Sequence, residues 1–399
     1  MSKRVGIITL FNNNLNSGAI LQAYALEEAV KKLGCYCDVI NYKRKSIDLL
    51  NKPMGVSERI IHKLTSLRSK GDLINLVTVP FQKYIANKYK PLLSDRSLNF
   101  EEFIKKYMTI SRLYDSSNIQ FSNSDYDCFI CGSDQIWRPS SFDANYYLNF
   151  VTSGKIKFSY AASLGVSGLS EKEKEYMRPL IEELDGISVR EESSVPTIAE
   201  MSSKEVISVL DPTLLFDSSF WTNLVKTDDS FGCREYAFSY MIGDNNSNRD
   251  IARHIAKIYE LKLVAMPAVS RILPYDLMYA DENIIDAAPD DFLTLIYNSK
   301  VVITDSFHAC VFSILFGKPF YVVERFTNNV RGSMNSRIYD LLSLFNLNDR
   351  LINTYECIED EIGELNISCK RWKQKQEFSW AYLKKYLDIN KPDNVSNII

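Results

Sequence analysis

Four polar stretches, each following an apolar β-prone run, hold the residues of this sequence best suited to chemistry. The strongest is Thr304-Asp305-Ser306-Phe307-His308, after Val301-Val302-Ile303. Asp305 or Ser306 can cap the helix that follows, which puts His308 in the first turn, where free N–H groups and the helix dipole favour an anion. An imidazole there can give or take a proton near neutral pH. The chain has only three histidines, and the other two, His62 and His254, sit on polar helical patterns. Arg190 ends the apolar run Ile187-Ser188-Val189, placed to fork onto a carboxylate or phosphate; a salt bridge to a nearby acid is its plainer role. Gly132-Ser133-Asp134-Gln135-Ile136-Trp137 joins a carboxylate, an amide and an indole, a set that suits sugar hydroxyls and an aromatic sugar face. Its plainer reading makes Trp137 packing and Asp134 a helix cap. In Asn14 to Gly18, the polar cap residue Asn16 and the glycine let backbone N–H groups face an anion.

Strand-to-helix turns of this kind need a scaffold, and the hydrophobic periodicity supplies one. Arg4 to Leu10 reads as a strand. A helix follows with Ala19, Ile20, Ala23, Leu26, Val30 and Leu33 on one face, and Cys35 to Asn41 as the next strand, a βαβ unit. Residues 42–115 look like a helical insertion, with patches around Val56–Ser69 and Phe100–Tyr107. Alternation resumes with strands at Tyr126–Cys131, Lys155–Ala162, Gly186–Arg190 and Glu205–Leu210 and helices at Glu171–Leu184 and Ser193–Met201. After a candidate linker, Thr227 to Cys233, come strands at Glu235–Ile242, Leu261–Met266, Lys300–Thr304 and Pro319–Glu324. Helices at Ser247–Tyr259, Asp290–Tyr297, Ser306–Phe316, Asn335–Phe345 and Arg371–Leu387 complete the set. The expectation is an α/β protein of two consecutive domains with mainly parallel sheets: 1–226, 234–370, and a C-terminal helix, 371–390, packing back on the first domain. Ligands of such sheets bind beyond the carboxyl ends of the strands, where these four loops fall.

Composition narrows the function classes. With 46% hydrophobic and 24% charged residues, the 399-residue chain is too apolar to be disordered. A net charge of −3 and the absence of any recognisable motif argue against nucleic acid. That charge is uneven: residues 42–112 carry 15 Lys/Arg against 6 Asp/Glu, a basic stretch that reads as a solvated face or as one attracted to an anionic membrane surface. Val5 to Phe11 reads as a strand rather than a signal-peptide core, and no window approaches a spanning length, so the cytoplasm is the expected compartment. Cys128 and Cys131 have redox or zinc spacing, but positions i and i+3 of a strand face opposite ways, so no metal or disulfide is expected there.

In their order along the chain, these stretches resemble the polysaccharide pyruvyl transferase family. The matching segments are Asn16-Ser17-Gly18-Ala19 with Leu21-Gln22-Ala23-Tyr24, Gly132 to Trp137, Ser159-Tyr160-Ala161-Ala162-Ser163 and Ser188-Val189-Arg190-Glu191. They continue with Leu210-Asp211-Pro212-Thr213, Thr304 to His308, and Arg337-Ile338-Tyr339-Asp340-Leu341-Leu342. The resemblance implies two Rossmann-like domains facing a central cleft, as in GT-B glycosyltransferases, with the acceptor on the first domain and the donor on the second. It further implies transfer of pyruvate from phosphoenolpyruvate onto two hydroxyls of one sugar in a cell-surface glycan or its lipid-linked precursor, forming a ketal. Phosphoenolpyruvate is then a co-substrate and no cofactor is implied. Carried over by position, Arg190 would hold donor carboxylate or phosphate and His308 would contact the phosphate or act as general acid; the chemistry of the loops themselves lets Asp134 accept a proton as base. Asn16, Gly18, Ser133, Gln135, Trp137, Asp211, Ser306 and Arg337 would line the donor and acceptor sites. Many family members have Arg-Leu-His where this chain has Ser306-Phe307-His308, and glycine at Ala309. Arg337, Arg331 and Arg325 are candidates to replace the missing guanidinium, Arg337 first.

Two other readings fit the same loops. A nucleotide-sugar glycosyltransferase would use the arginine and a helix N-terminus for a diphosphate. Asp125-Tyr126-Asp127 imitates its metal motif but precedes a strand instead of ending one. A glycan-binding or assembly protein without catalysis would need only the sugar-facing residues.

Overall fold

The computed structural model describes residues 2–12, 14–45, 82–227, 235–268, 274–325, 336–354, 358, 363–365 and 367–388. The expected helix at 56–69 lies outside them, as does all of the linker except Thr227.

Two parallel sheets dominate. In the first, β1 (Arg4–Ile8), β2 (Tyr36–Lys43), β3 (Ile110–Asp115), β4 (Cys128–Cys131) and β5 (Ile156–Ser159) take the order β3-β2-β1-β4-β5. A parallel pair, β6 (Ile187–Val189) and β7 (Val206–Ser208), extends this sheet through bridges from Phe158 to Gly186 and from Ala162 to Val189. The second sheet comprises β8 (Tyr236–Tyr240), β9 (Lys262–Ala265), β10 (Glu282–Asn283), β11 (Val301–Thr304), β12 (Phe320–Val323) and β13 (Leu351–Ile352). Its order, β10-β9-β8-β11-β12-β13, is the doubly wound Rossmann order, and the first sheet repeats the same pattern. Each sheet therefore reverses direction beside its first strand. The crevices so formed, between β1 and β4 and between β8 and β11, are where such folds place ligands.

The expected fold class holds: α/β, two Rossmann-like domains meeting at their strand ends. The insertion needs correction for its described part. The Gln82–Tyr107 helix is the crossover from β2 to β3, and β3 pairs with β2. Helix and strand thus belong to the first sheet. The run Ile110-Ser111-Arg112-Leu113-Tyr114 buries only Tyr114 well, so its period-2 signal is weak and a strand was not evident from sequence.

The C-terminal helix, Cys369–Leu387, makes hydrogen bonds to residues of the first sheet and its loops. Tyr382 donates to Ser159 O at 2.9 Å, Ser379 Oγ accepts from Leu210 N at 3.0 Å, and Lys3 donates to Leu387 O at 2.8 Å. Cys128 and Cys131 pack in different clusters, on opposite faces of β4, and burial raises both thiols, Cys128 to about 12. Asp125 and Asp127 stand at the amino end of β4, far from the strand ends that carry chemistry. Asp125 accepts from Tyr114 Oη and Asp127 from Arg4 N.

Candidate active site

Loops from both sheets converge on one buried ionic cluster. Arg190, immediately after β6, donates from Nη1 to Asp211 Oδ2 at 3.0 Å and from Nε to Glu191 Oε1 at 3.2 Å. Asp134 Oδ1 lies 3.9 Å from Nη1, and the guanidinium stacks on the Phe307 ring with Cζ 4.6 Å from its centroid. Arg190 Nη2 is buried without a hydrogen-bond partner. Burial opposes the charge, but Glu191, Asp211 and Asp134 outweigh it and raise the guanidinium's pKa further.

Asp211 is the hub. Its Oδ1 accepts from Thr213 N and Oγ1 at 3.0 and 2.7 Å, capping a short turn; its Oδ2 takes Arg190 and, at 3.2 Å, the Ser133 hydroxyl. His308 Nε2 stands 3.7 Å from Oδ2, an ion-pair distance longer than a hydrogen bond. Burial alone would raise this carboxyl, yet His308, Arg190 and Thr213 hold it well below the usual range. The imidazole is buried too and its Nε2 has no hydrogen-bond partner.

His308 reaches this place because Ser306 caps the Phe307–Leu315 helix and Asp305 ties β11 to β8. The Asp305 carboxylate accepts from Ile242 N at 2.7 Å and Gly243 N at 2.8 Å. From the first domain, Asn16 caps the Ser17–Lys32 helix by accepting from Gly18 N and Ala19 N. Gly18 itself lies on the imidazole: a Cβ built there would sit 2.3 Å from His308 Nδ1. Only glycine lets the two domains approach so closely at this point.

Behind Arg190 a narrow cavity of about 80 Å³ is walled by Phe307, Arg337, Asp340, Arg371 and Lys375 among others. Arg337, in the Ser336–Phe345 helix, is buried, and its pKa falls to about 9 because burial strips its water and Arg190 and Arg325 repel it. Arg325 is engaged with Asp305, donating to its carbonyl at 2.9 Å. Of the three arginines considered for the place vacated at Ser306, Arg337 therefore joins Arg190, Arg325 serves Asp305, and Arg331 lies outside the described residues. Lys375 pairs with Glu192, and Asp340 accepts from Ser193 Oγ at 3.0 Å across the domains.

The expected residues divide accordingly. Arg190, Asp211, His308, Asp134 and Ser133 are brought together, with Gly18 and Asn16 against them and Arg337 beside them. Ser133 is fully buried and positions Asp211 instead of facing a ligand. Gln135 packs against Gly165. Trp137 offers no sugar face: it is 0% exposed, stacked on Tyr147 at 5.2 Å, and donates to Tyr146 O. An indole two residues beyond a loop's polar apex returns to the core, which was its plainer reading. Sequence reasoning missed Phe307 as the platform for Arg190, Glu191 as its second counter-ion, and Arg96. From the Gln82–Tyr107 helix, Arg96 donates to Leu15 O, Pro267 O and Ile285 O, each at 3.2 Å, fastening the His308-facing loop to the second domain. A basic residue in a basic stretch gave no sign of being buried. Among the described residues no cluster of His, Cys, Asp or Glu could hold a metal.

Fold and site together define a two-Rossmann-domain protein whose interdomain junction carries a histidine and paired arginines. The sequence matches the profile of the polysaccharide pyruvyl transferase family over residues 16–325. The chain belongs to that family, a family of transferases. Curated protein sequences give no match. Among solved structures, it is similar to UDP-GlcNAc 2-epimerase from Neisseria meningitidis at 11% identity, TM-score 0.44, covering 97% of this chain and 100% of that one. MurG from Acinetobacter baumannii is similar at 9% identity, TM-score 0.34, covering 98% and 93%.

Proposed function

We propose that the protein transfers pyruvate from phosphoenolpyruvate to two hydroxyls of a sugar in a cell-surface glycan precursor, forming a cyclic ketal. The observation that carries this reading is the pairing of His308 and Arg190 on Asp211 at the domain junction, with Arg337 lining the adjoining cavity, a set matched to a substrate with two anionic groups and a carbon that must be protonated. Arg337, stripped of water by burial and repelled by Arg190 and Arg325, is stabilised in its charged form by an incoming anion. In the reaction, the donor's methylene carbon takes a proton while C2 gains positive character. One sugar hydroxyl bonds to C2, the C2–O bond to phosphate breaks, and the second hydroxyl closes the ring. Of the two hydroxyl protons, one is balanced by the proton on the new methyl group and the other by the departing phosphate. His308 supplies the first proton, with Asp211 stabilising the imidazolium. Asp134 is the base: of the carboxylates around Arg190, its side chain keeps 14% exposure against 0% for Asp211 and 2% for Glu191.

The acceptor is a glycan, carried on a lipid where precursors are assembled. Lys88, Lys90, Lys105 and Lys106 are exposed on the Gln82–Tyr107 helix, in keeping with peripheral contact at the inner face of a membrane. No helix among the described residues is long and apolar enough to cross one. Incubating the protein with phosphoenolpyruvate, a nucleotide sugar and defined glycan acceptors tests the donor directly. Consumption of phosphoenolpyruvate with ketal formation supports the proposal; consumption of the nucleotide sugar alone refutes it.

A further inference from the structure

A second, larger cavity of about 500 Å³ lies on the first domain, between the loop after β1 and the Gln82–Tyr107 helix. That volume falls in the range of about 300–1,000 Å³ typical of small-molecule sites. We infer that this cavity is the acceptor-sugar site, and that it takes an uncharged pyranose, with room for a linked neighbour; this rests on the proposed transfer to a glycan.

The lining chemistry selects the ligand. Asn12, Asn14 and Asn41 bring three carboxamides, each able to donate and accept, as vicinal hydroxyls require. Phe11 and Phe100 supply apolar surface for the C–H face of a ring. Lys105 and Glu101 cancel in formal charge, and no other charged residue lines the space. The cavity therefore holds little charge, whereas the space behind Arg190 is densely ionic, with Arg190, Arg337, Arg371 and Lys375 set among Glu191, Glu192, Asp211 and Asp340. Two chemically different cavities thus flank the site, one densely ionic and one lined mainly by carboxamides and apolar groups, the latter suited to a neutral polyol.

Geometry connects the sugar cavity to the reacting group. Leu15 lines it, and Leu15 O is held by Arg96. Asn14 Oδ1 accepts from Asn16 N at 3.1 Å, coupling the cavity wall to the residue that caps the Ser17–Lys32 helix. The next turn carries Gly18 against His308. A sugar seated on this loop is therefore placed by the same backbone that meets the imidazole.

The test needs no donor. Saturation-transfer NMR on the full chain, with methyl glycosides of hexoses and N-acetylhexosamines as probes, should show weak binding by the wild type. Ser97→Trp, which projects an indole into the cavity from the half-buried Ser97, should weaken it by about tenfold or more. Lys88→Trp, on the same helix outside the cavity, should bind as the wild type does, with matching melting curves for all three. Absence of glycoside binding to the wild type, or equal binding by Ser97→Trp, would overturn the assignment. So would displacement of a bound glycoside from wild type by inorganic phosphate. Because binding is read without phosphoenolpyruvate, a wrong donor and a wrong acceptor site give different results.

Discussion

At the scale of residues, the site depends on one buried carboxylate serving two cations. Asp211 is depressed relative to its unfolded value, so it contributes stability above about pH 4 that is lost as pH falls through its folded pKa. Asp211→Asn should lower stability at neutral pH by roughly 3 kcal/mol, the cost of leaving a buried partner uncompensated, and the difference from wild type should shrink as pH falls below 4. Urea unfolding at a series of pH values measures this; a constant difference would show that folding does not depress the Asp211 carboxyl. His308→Asn should abolish ketal formation with the melting curve retained. Gly18→Ala should reduce transfer at least about tenfold by displacing the imidazole its Cβ would strike. Much of this was legible, because Arg190, Asp211 and His308 each lie in a polar stretch just after an apolar strand. The roles of Ser133 and Trp137 were not, since a short polar loop does not reveal which side chain turns inward.

At the scale of elements, the Gln82–Tyr107 helix couples the domains. Arg96 places a guanidinium, with its pKa lowered to about 10 by burial, against three backbone carbonyls from both domains. Nothing in the sequence around it separates Arg96 from its solvated neighbours, and the whole stretch reads as an appended basic segment. The strand it leads to was equally hidden, because β3 is an edge strand with an exposed face and a register shift against β2. Arg96→Met leaves those carbonyls unsatisfied and should cost about 3 kcal/mol or more. It should also loosen the junction, measured as an increased radius of gyration in small-angle scattering, with transfer reduced; an unchanged radius and rate would remove Arg96 from the coupling.

Across the whole molecule, the alternation of strands and helices foretold two doubly wound sheets, and their switch points lie where the polar loops meet. The closeness of the domains was also beyond any local pattern, because it depends on Gly18, Phe307 and Arg96 contacts far apart in sequence. The central claim is that this junction moves pyruvate. The most direct measurement mixes protein, phosphoenolpyruvate and glycan acceptors, then quantifies released phosphate alongside acceptor mass and the new methyl resonance. One phosphate per ketal with the wild type, and neither with His308→Asn, is the expected result. Phosphoenolpyruvate left intact while a nucleotide sugar is consumed and a glycosyl group added would contradict it.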